Sequence, residues 1–233
     1  MAATFTPHLD ILPDPQRQLW PALDATAALG LVLYGGTAIA LRLGHRPSVD
    51  FDFFTDRSLE KDALRARLPF IAHATVLQDQ QYTLTVLVSS PDTSVTGQGH
   101  EVKLSFFGGL GFGRIGNPEV AEPGAVQVAS LNDLLAHKLK VILQRVEAKD
   151  YQDVATLVTA GVRLEVGLAG ARALFGPSFQ PSECLKALVY FEGGDLESLS
   201  EATRATLIEA VRAVAELPTV PRIADTLALG DSG

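Results

Sequence analysis

Cysteine is almost missing from this chain, with Cys184 the single one in 233 residues. One thiol builds neither a disulfide framework nor a cysteine-based zinc site, so both are excluded, and a reducing cytoplasm is the expected setting. Long apolar runs are missing too. No stretch of 18 apolar residues occurs, which argues against a membrane span. The opening MAATFTPHLD lacks the basic and apolar regions of a secretory signal, so none is expected. Excess positive charge is likewise absent. A net charge of −8 argues against non-specific nucleic-acid binding through bulk charge, although a local basic patch could still hold an RNA end. No internal repeat is visible. What remains is 47% hydrophobic and 20% charged, enough apolar material for a buried core and enough chain for one large domain or two small ones.

The most informative stretch is LVLYGGTAIALRLGHRPSVDFDFFT, residues 31–55. The apolar run Leu31-Val32-Leu33-Tyr34 reads as a buried strand. Gly35-Gly36 ends it in a tight turn that another group can approach closely. Residues 37–43 read as a short helix stopped by Gly44, His45-Arg46-Pro47-Ser48 as a polar loop, and residues 49–54 as a second strand. Strand side chains alternate faces, so Asp50 and Asp52 point one way while Phe51 and Phe53 point the other. Adjacent carboxylates repel unless a cation lies between them. Hard oxygen donors suit Mg²⁺, with substrate phosphates completing the shell. A Gly-Gly turn opening a helix offers N–H groups and a positive dipole end to a phosphate, and Thr37 adds a hydroxyl there.

Gly35-Gly36-Thr37-Ala38 followed by Asp50-Phe51-Asp52-Phe53 resembles the first two motifs of the polymerase-β-like nucleotidyltransferases, and is most similar to the AbiEii/AbiGii toxin family of bacteria. The resemblance implies Asp50 and Asp52 as catalytic metal ligands and Gly35, Gly36 and Thr37 as nucleotide-binding residues. The superfamily pattern has a third carboxylate on a later strand. Here the candidate strand is Glu101-Val102-Lys103-Leu104-Ser105-Phe106-Phe107, with Ser105 where an acid is expected. Glu101 lies about 13 Å from Ser105 at the usual strand rise, too far to replace it.

Ser130-Leu131-Asn132-Asp133 is a helix start of the capping-box type, and residues 131–145 continue it with Leu131, Leu135, Leu139 and Ile142 as a buried stripe. On one continuous helix Lys138, Arg145 and Lys149 would fall within about 40° of one another, forming a basic row. The His137-Lys138…Arg145…Lys149-Asp150-x-x-Asp153 arrangement resembles the later motif of the AbiEii-like toxins. By that likeness Lys138 takes the catalytic lysine role and offsets triphosphate charge. Asp150 takes the catalytic aspartate role, orienting Lys138 or accepting the acceptor's proton. Arg145 and Lys149 join the nucleotide-binding set.

Elsewhere, Asp14-Pro15 opens a helix towards Gly30 that Pro21 interrupts. Ser58 is the expected N-cap of a helix running to Leu68. Residues 74–77, 82–88 and 126–128 read as strands, 89–99 as a hairpin-type loop, and the glycine cluster 108–113 as a mobile loop. From Val154 onward the chain reads as successive helices.

The expected fold is α+β: a polymerase-β-like mixed sheet with flanking helices over 1–129, a helical lobe over 130–217, a tail over 218–233 that frays, and a cleft between the lobes. The expected function is Mg²⁺-dependent transfer of a nucleoside monophosphate from a nucleoside triphosphate to an acceptor hydroxyl. By likeness, the acceptor is an RNA such as a tRNA end, and the chain is a toxin with a cognate antitoxin partner. The alternative is a catalytically impaired module of the same kind that binds nucleotide or protein.

Overall fold

A computed structural model describes residues 2–89 and 101–230. In chain order, β1 (Thr4–Phe5) precedes α1 (Asp14–Leu19) and a 3-10 stretch, Trp20–Leu29. Pro13 is the N-cap of α1, and Pro15 sits in its first turn, where the missing N–H costs nothing. The helix expected to reach Gly30 changes character at Trp20 because Pro21 cannot donate to it.

Next come β2 (Val32–Tyr34), α2 (Gly35–Leu43), β3 (Asp50–Phe54) and α3 (Lys61–Arg67). Ser58 does not cap α3; Glu60 holds that position. The preceding chain stays outside the helix, its Arg57 carbonyl accepting from Gly109 N–H at 2.8 Å and Leu59 buried. The sheet then gains β4 (Thr75–Gln80), β5 (Thr83–Ser89), β6 (Glu101–Phe107), β7 (Glu119–Ala121) and β8 (Gln127–Val128). The helices α4 (Leu131–Ile142), α5 (Ala148–Thr159), α6 (Leu164–Phe175), α7 (Pro181–Val189) and α8 (Glu201–Ala213) complete the chain.

Among the described residues the strands form one mixed sheet of eight, ordered β1-β7-β8-β2-β3-β6-β5-β4, so the architecture is α+β. Strand β3 lies near the middle, antiparallel to β2 and parallel to β6. Its burial alternates as its sequence does. Phe51 and Phe53 are fully buried, with Phe53 stacked on Phe106 of β6 at 5.6 Å and Phe51 6.1 Å from Trp20. This aromatic layer fixes which face of β3 carries the acids, because a one-residue slip would send the phenyl rings to the polar side.

Two compact units result. The sheet unit draws on Met1–Gly111, Asn117–Ala129 and Asp225–Gly233, the helical unit on Phe112–Gly116 and Ser130–Ala224. Two further details differ from expectation. The glycine cluster is tied down at its start: Gly108 N–H donates to Tyr82 at 2.9 Å and Leu110 N–H to Thr55 at 3.2 Å. The tail also has firm contacts. Leu227 is fully buried, its N–H donates to Asp56, and Leu229 N–H donates to Gln127. The hairpin-type loop expected over 89–99 lies, from residue 90, outside the described residues. No single helix among the described residues is long and apolar enough to cross a membrane.

Candidate functional site

In the sheet unit the site starts from a strand that becomes a helix with no intervening loop. Tyr34 ends β2 and is also the N-cap of α2, with no side-chain cap bond. Gly35 makes the change of direction at φ +77°. Leu41 and the residues of α2 back to Thr37 are buried, while Gly35 and Gly36 remain part-exposed. Hence the α2 end that presents unused backbone N–H groups is part-exposed.

Strand β3 brings its acids to this point. Asp52 pairs with Tyr34 across β2, and Asp50 and Asp52 share a face. A β-carbon added to Gly35 would lie 2.8 Å from Asp52 Oδ2, so the carboxylate occupies the space that glycine leaves. Thr37 is buried, and its hydroxyl is already engaged. It shares a 2.7 Å hydrogen bond with Ser48 Oγ and donates to the Asp50 carbonyl. The structure therefore aims the Thr37 hydroxyl at the loop and strand that carry Asp50, rather than leaving it open to a phosphate.

The parallel strand β6 supplies the other side of the acidic face. Its register sets Lys103 opposite Asp50 and Ser105 opposite Asp52. Lys103 Nζ lies 2.9 Å from Asp50 Oδ2, with both side chains more than a third exposed. Ser105 is buried, in a row with Thr85 of β5. Among the described residues, no group of three or more His, Cys, Asp or Glu side chains is placed to hold a metal. Two carboxylates nevertheless fit Mg²⁺, which keeps several waters and is commonly bound through one or two carboxylates plus substrate phosphates. Asp50 and Asp52 are the residues that would hold it.

The remaining predicted residues lie in the helical unit. Ser130 caps α4, accepting from Asp133 N–H at 3.1 Å. Burial pushes the Asp133 carboxyl up, against hydrogen bonds from Ser130 and the N–H groups of Ile115 and Gly116 that pull it down. Lys138 is 5% exposed. Its Nζ lies 2.6 Å from Asp150 Oδ1 and 2.7 Å from Asp153 Oδ2. Arg145 adds a two-pronged contact to Asp150 at 2.8 and 3.1 Å. Burial alone would raise the Asp150 carboxyl, but Arg145's hydrogen bonds and Lys138's charge outweigh it and hold it below the usual carboxylate range.

The continuous basic row does not form. Helix α4 ends at Ile142 and α5 begins at Ala148, so the angular count across residues 138–149 no longer applies. Lys149 is exposed and pairs with Glu147 at 2.8 Å. His137, beside Lys138, is wedged between Phe112 and Phe175 with ring centroids 4.5 and 5.0 Å away, and burial pulls its pKa down to about 3. Sequence reasoning gave Lys103 and Ser48 no role in the site. Lys103 was visible on the polar face of its strand, but its partnership with Asp50 depends on a register that one strand does not reveal.

An antigenic nucleotidyltransferase-like protein from Paracoccidioides brasiliensis shares the fold at a TM-score of 0.54 and 18% identity, over 90% of this chain and 96% of that one. MenT4, a nucleotidyltransferase toxin from Mycobacterium tuberculosis H37Rv, shares it at 0.53 and 14% identity, over 88% and 85%. An uncharacterised protein of Aquifex aeolicus (strain VF5) is 29% identical over 139 residues, which are 57% of this chain. The match spans 62% of that relative's length. The family model of the AbiEii nucleotidyl transferase toxin of type IV toxin–antitoxin systems matches residues 19–223, a span holding both acids of β3 and the Lys138 network, and this chain belongs to that family.

Proposed function

We propose that this chain transfers a nucleoside monophosphate from a nucleoside triphosphate to an acceptor hydroxyl, and that it does so as the toxin of a toxin–antitoxin pair. The observation that carries the reading is the Asp52 carboxylate set against Gly35 at the uncapped start of α2, with Asp50 on the same face. Acids beside a helix start with spare N–H groups support the binding of a metal–triphosphate.

In the reaction, the acceptor oxygen bonds to the α-phosphorus. The bond from that phosphorus to the bridging oxygen breaks, pyrophosphate leaves with the electron pair, and the hydroxyl proton passes to water. Mg²⁺ on Asp50 and Asp52 would supply Lewis acidity and offset phosphate charge. Gly35 and Gly36 present N–H groups to the phosphates, and Thr37 positions Asp50 through its backbone. Within the helical unit, the family likeness gives Lys138 the lysine role and assigns Arg145 and Lys149 to the nucleotide; Lys138 and Arg145 are held on Asp150, and Lys149 pairs with Glu147. The contacts of Lys138 and Arg145 to both oxygens of Asp150 support the orienting role for that aspartate. An RNA end, such as that of tRNA, is the acceptor class the family likeness favours, and an antitoxin is the protein partner.

A second reading rests on β6. Ser105 replaces the expected third acid, and Lys103 holds Asp50. Such a site could bind nucleotide without turning it over.

Labelled nucleoside triphosphates, Mg²⁺ and total RNA separate the two. The first reading expects labelled RNA, lost in Asp52→Ala with folding intact. Tight triphosphate binding without transfer to any RNA would support the second.

A further inference from the structure

The half-exposed pair between Lys103 and Asp50 needs a reason. Such a pair contributes little to stability, because water screens it and two side chains lose freedom. The fold therefore does not require Lys103, and the aromatic layer on the opposite face already sets the strand register. Lys103 nevertheless stands directly opposite Asp50, with its ammonium 2.9 Å from Oδ2, on the face shared by Asp50 and Asp52. The flanking positions on that face of β6 are the uncharged, buried Ser105 and, at the strand's start, the exposed Glu101.

We infer that Lys103 is a resident counter-charge of the acidic pair that competes with the divalent cation and afterwards faces the nucleotide's phosphates. This inference rests on the nucleotidyl-transfer reading. Two carboxylates with no counter-charge would attract any divalent ion from solution. With Lys103 on one of them, an ion that engages both must displace the ammonium, and the displacement is easier when the ion arrives with phosphates that attract the released lysine. Binding of the bare ion is thereby weakened relative to binding of the ion–triphosphate complex. A third carboxylate at residue 105 would favour the bare ion instead.

The test is Mn²⁺ titration followed by electron paramagnetic resonance, using the whole chain with no nucleotide. Lys103→Gln should bind Mn²⁺ about tenfold more tightly than the parent, the order expected from removing one nearby positive charge in a screened site, and Lys103→Arg should match the parent. With a non-hydrolysable triphosphate analogue added, Lys103→Gln should bind the Mn²⁺–analogue complex more weakly than the parent. Equal or weaker Mn²⁺ affinity in Lys103→Gln without analogue overturns the inference while leaving the transfer reading standing. If no variant binds Mn²⁺ even with the analogue present, the metal-dependent reading itself falls and this one with it. Thermal melts of the variants should coincide with the parent, since the pair is not what holds the sheet.

Discussion

Asp52 Oδ2 fills the space where Gly35 has no side chain, 2.8 Å from the point a β-carbon would take. The contact joins a backbone requirement to a chemical one, because Gly35 also sits at φ +77°. Gly35→Ala should therefore act twice. The left-handed backbone costs about 1–2 kcal/mol in a residue with a β-carbon, and the new methyl pushes the Asp52 carboxylate away. We expect the variant to fold, with a melt lowered in proportion to that cost. Nucleotidyl transfer should fall roughly 100-fold, the scale of a misplaced reacting group. Near-parental transfer by a folded Gly35→Ala protein would remove this contact from the mechanism.

Thr37 works from the other side of the same acid pair. Its hydroxyl links Ser48 to the Asp50 carbonyl inside the protein. Thr37→Val keeps the shape and deletes the link, leaving buried polar atoms without their partner, at about 1–3 kcal/mol. Urea unfolding should report that loss. If Thr37 positions Asp50, triphosphate affinity should change less than transfer rate, since the hydroxyl is not aimed at the phosphates.

Periodicity and turn chemistry made much of the sheet unit legible. The alternation of Asp50-Phe51-Asp52-Phe53 placed acids and rings on opposite faces because strand geometry leaves no other choice. Gly44 as a helix stop follows as directly, since it takes the left-handed cap at φ 62°. Four things were not legible, for related reasons. Strands β1 and β7 are too short to show alternation. The Lys103–Asp50 pairing depends on long-range register. The basic row failed because the angular count assumed one helix, whereas α4 stops at Ile142 and the chain turns before α5. The residue types at Lys138 and Asp150 were conspicuous, but their burial was not: isolated lysines on amphipathic helices are usually solvated, and only packing reveals otherwise.

Ser105 offers a gain-of-function test. It lies opposite Asp52 in the β3–β6 register and is 3% exposed. Ser105→Asp puts a third carboxylate beside the pair. Without metal the added buried charge should lower the melting temperature, and Mg²⁺ should recover more of the loss than it does in the parent. A Mg²⁺-independent melt for Ser105→Asp would show that the row does not meet the ion.

Lys138 variants need a stability measurement before any activity is interpreted. Its ammonium is shared by two fully buried carboxylates, Asp150 and Asp153. Lys138→Met takes that ammonium from both, Arg145 remaining on Asp150, and breaking a buried pair in this way costs about 3–5 kcal/mol. Lys138→Met with Asp153→Asn should recover part of that loss, because one of the two buried carboxylate charges is removed. If Lys138→Met proves as stable as the parent in urea while transfer disappears, the lysine's role is chemical rather than structural.

His137 sets a pH dependence of its own. Its ring lies between Phe112 and Phe175, and burial lowers its pKa to about 3, against 6.5 for an ordinary histidine. The folded protein therefore resists protonation that the unfolded chain accepts. Above pH 6.5 neither state binds the proton and His137 adds no slope. As pH falls from 6.5 towards 3, the unfolded state gains the proton first and folding stability drops, by up to about 1.4 kcal/mol per pH unit from this residue. Asp150 adds a separate loss at lower pH: its carboxyl is held below the usual 3.8, so its stabilising share is present above that value and disappears as pH falls through the folded pKa. His137→Phe keeps the aromatic packing and removes the titration. Its unfolding free energy should stay flatter than the parent's from pH 6.5 down to about 3, and the two curves should run parallel below that. Parallel curves for the two proteins across that interval would mean that His137 is not held neutral by its surroundings.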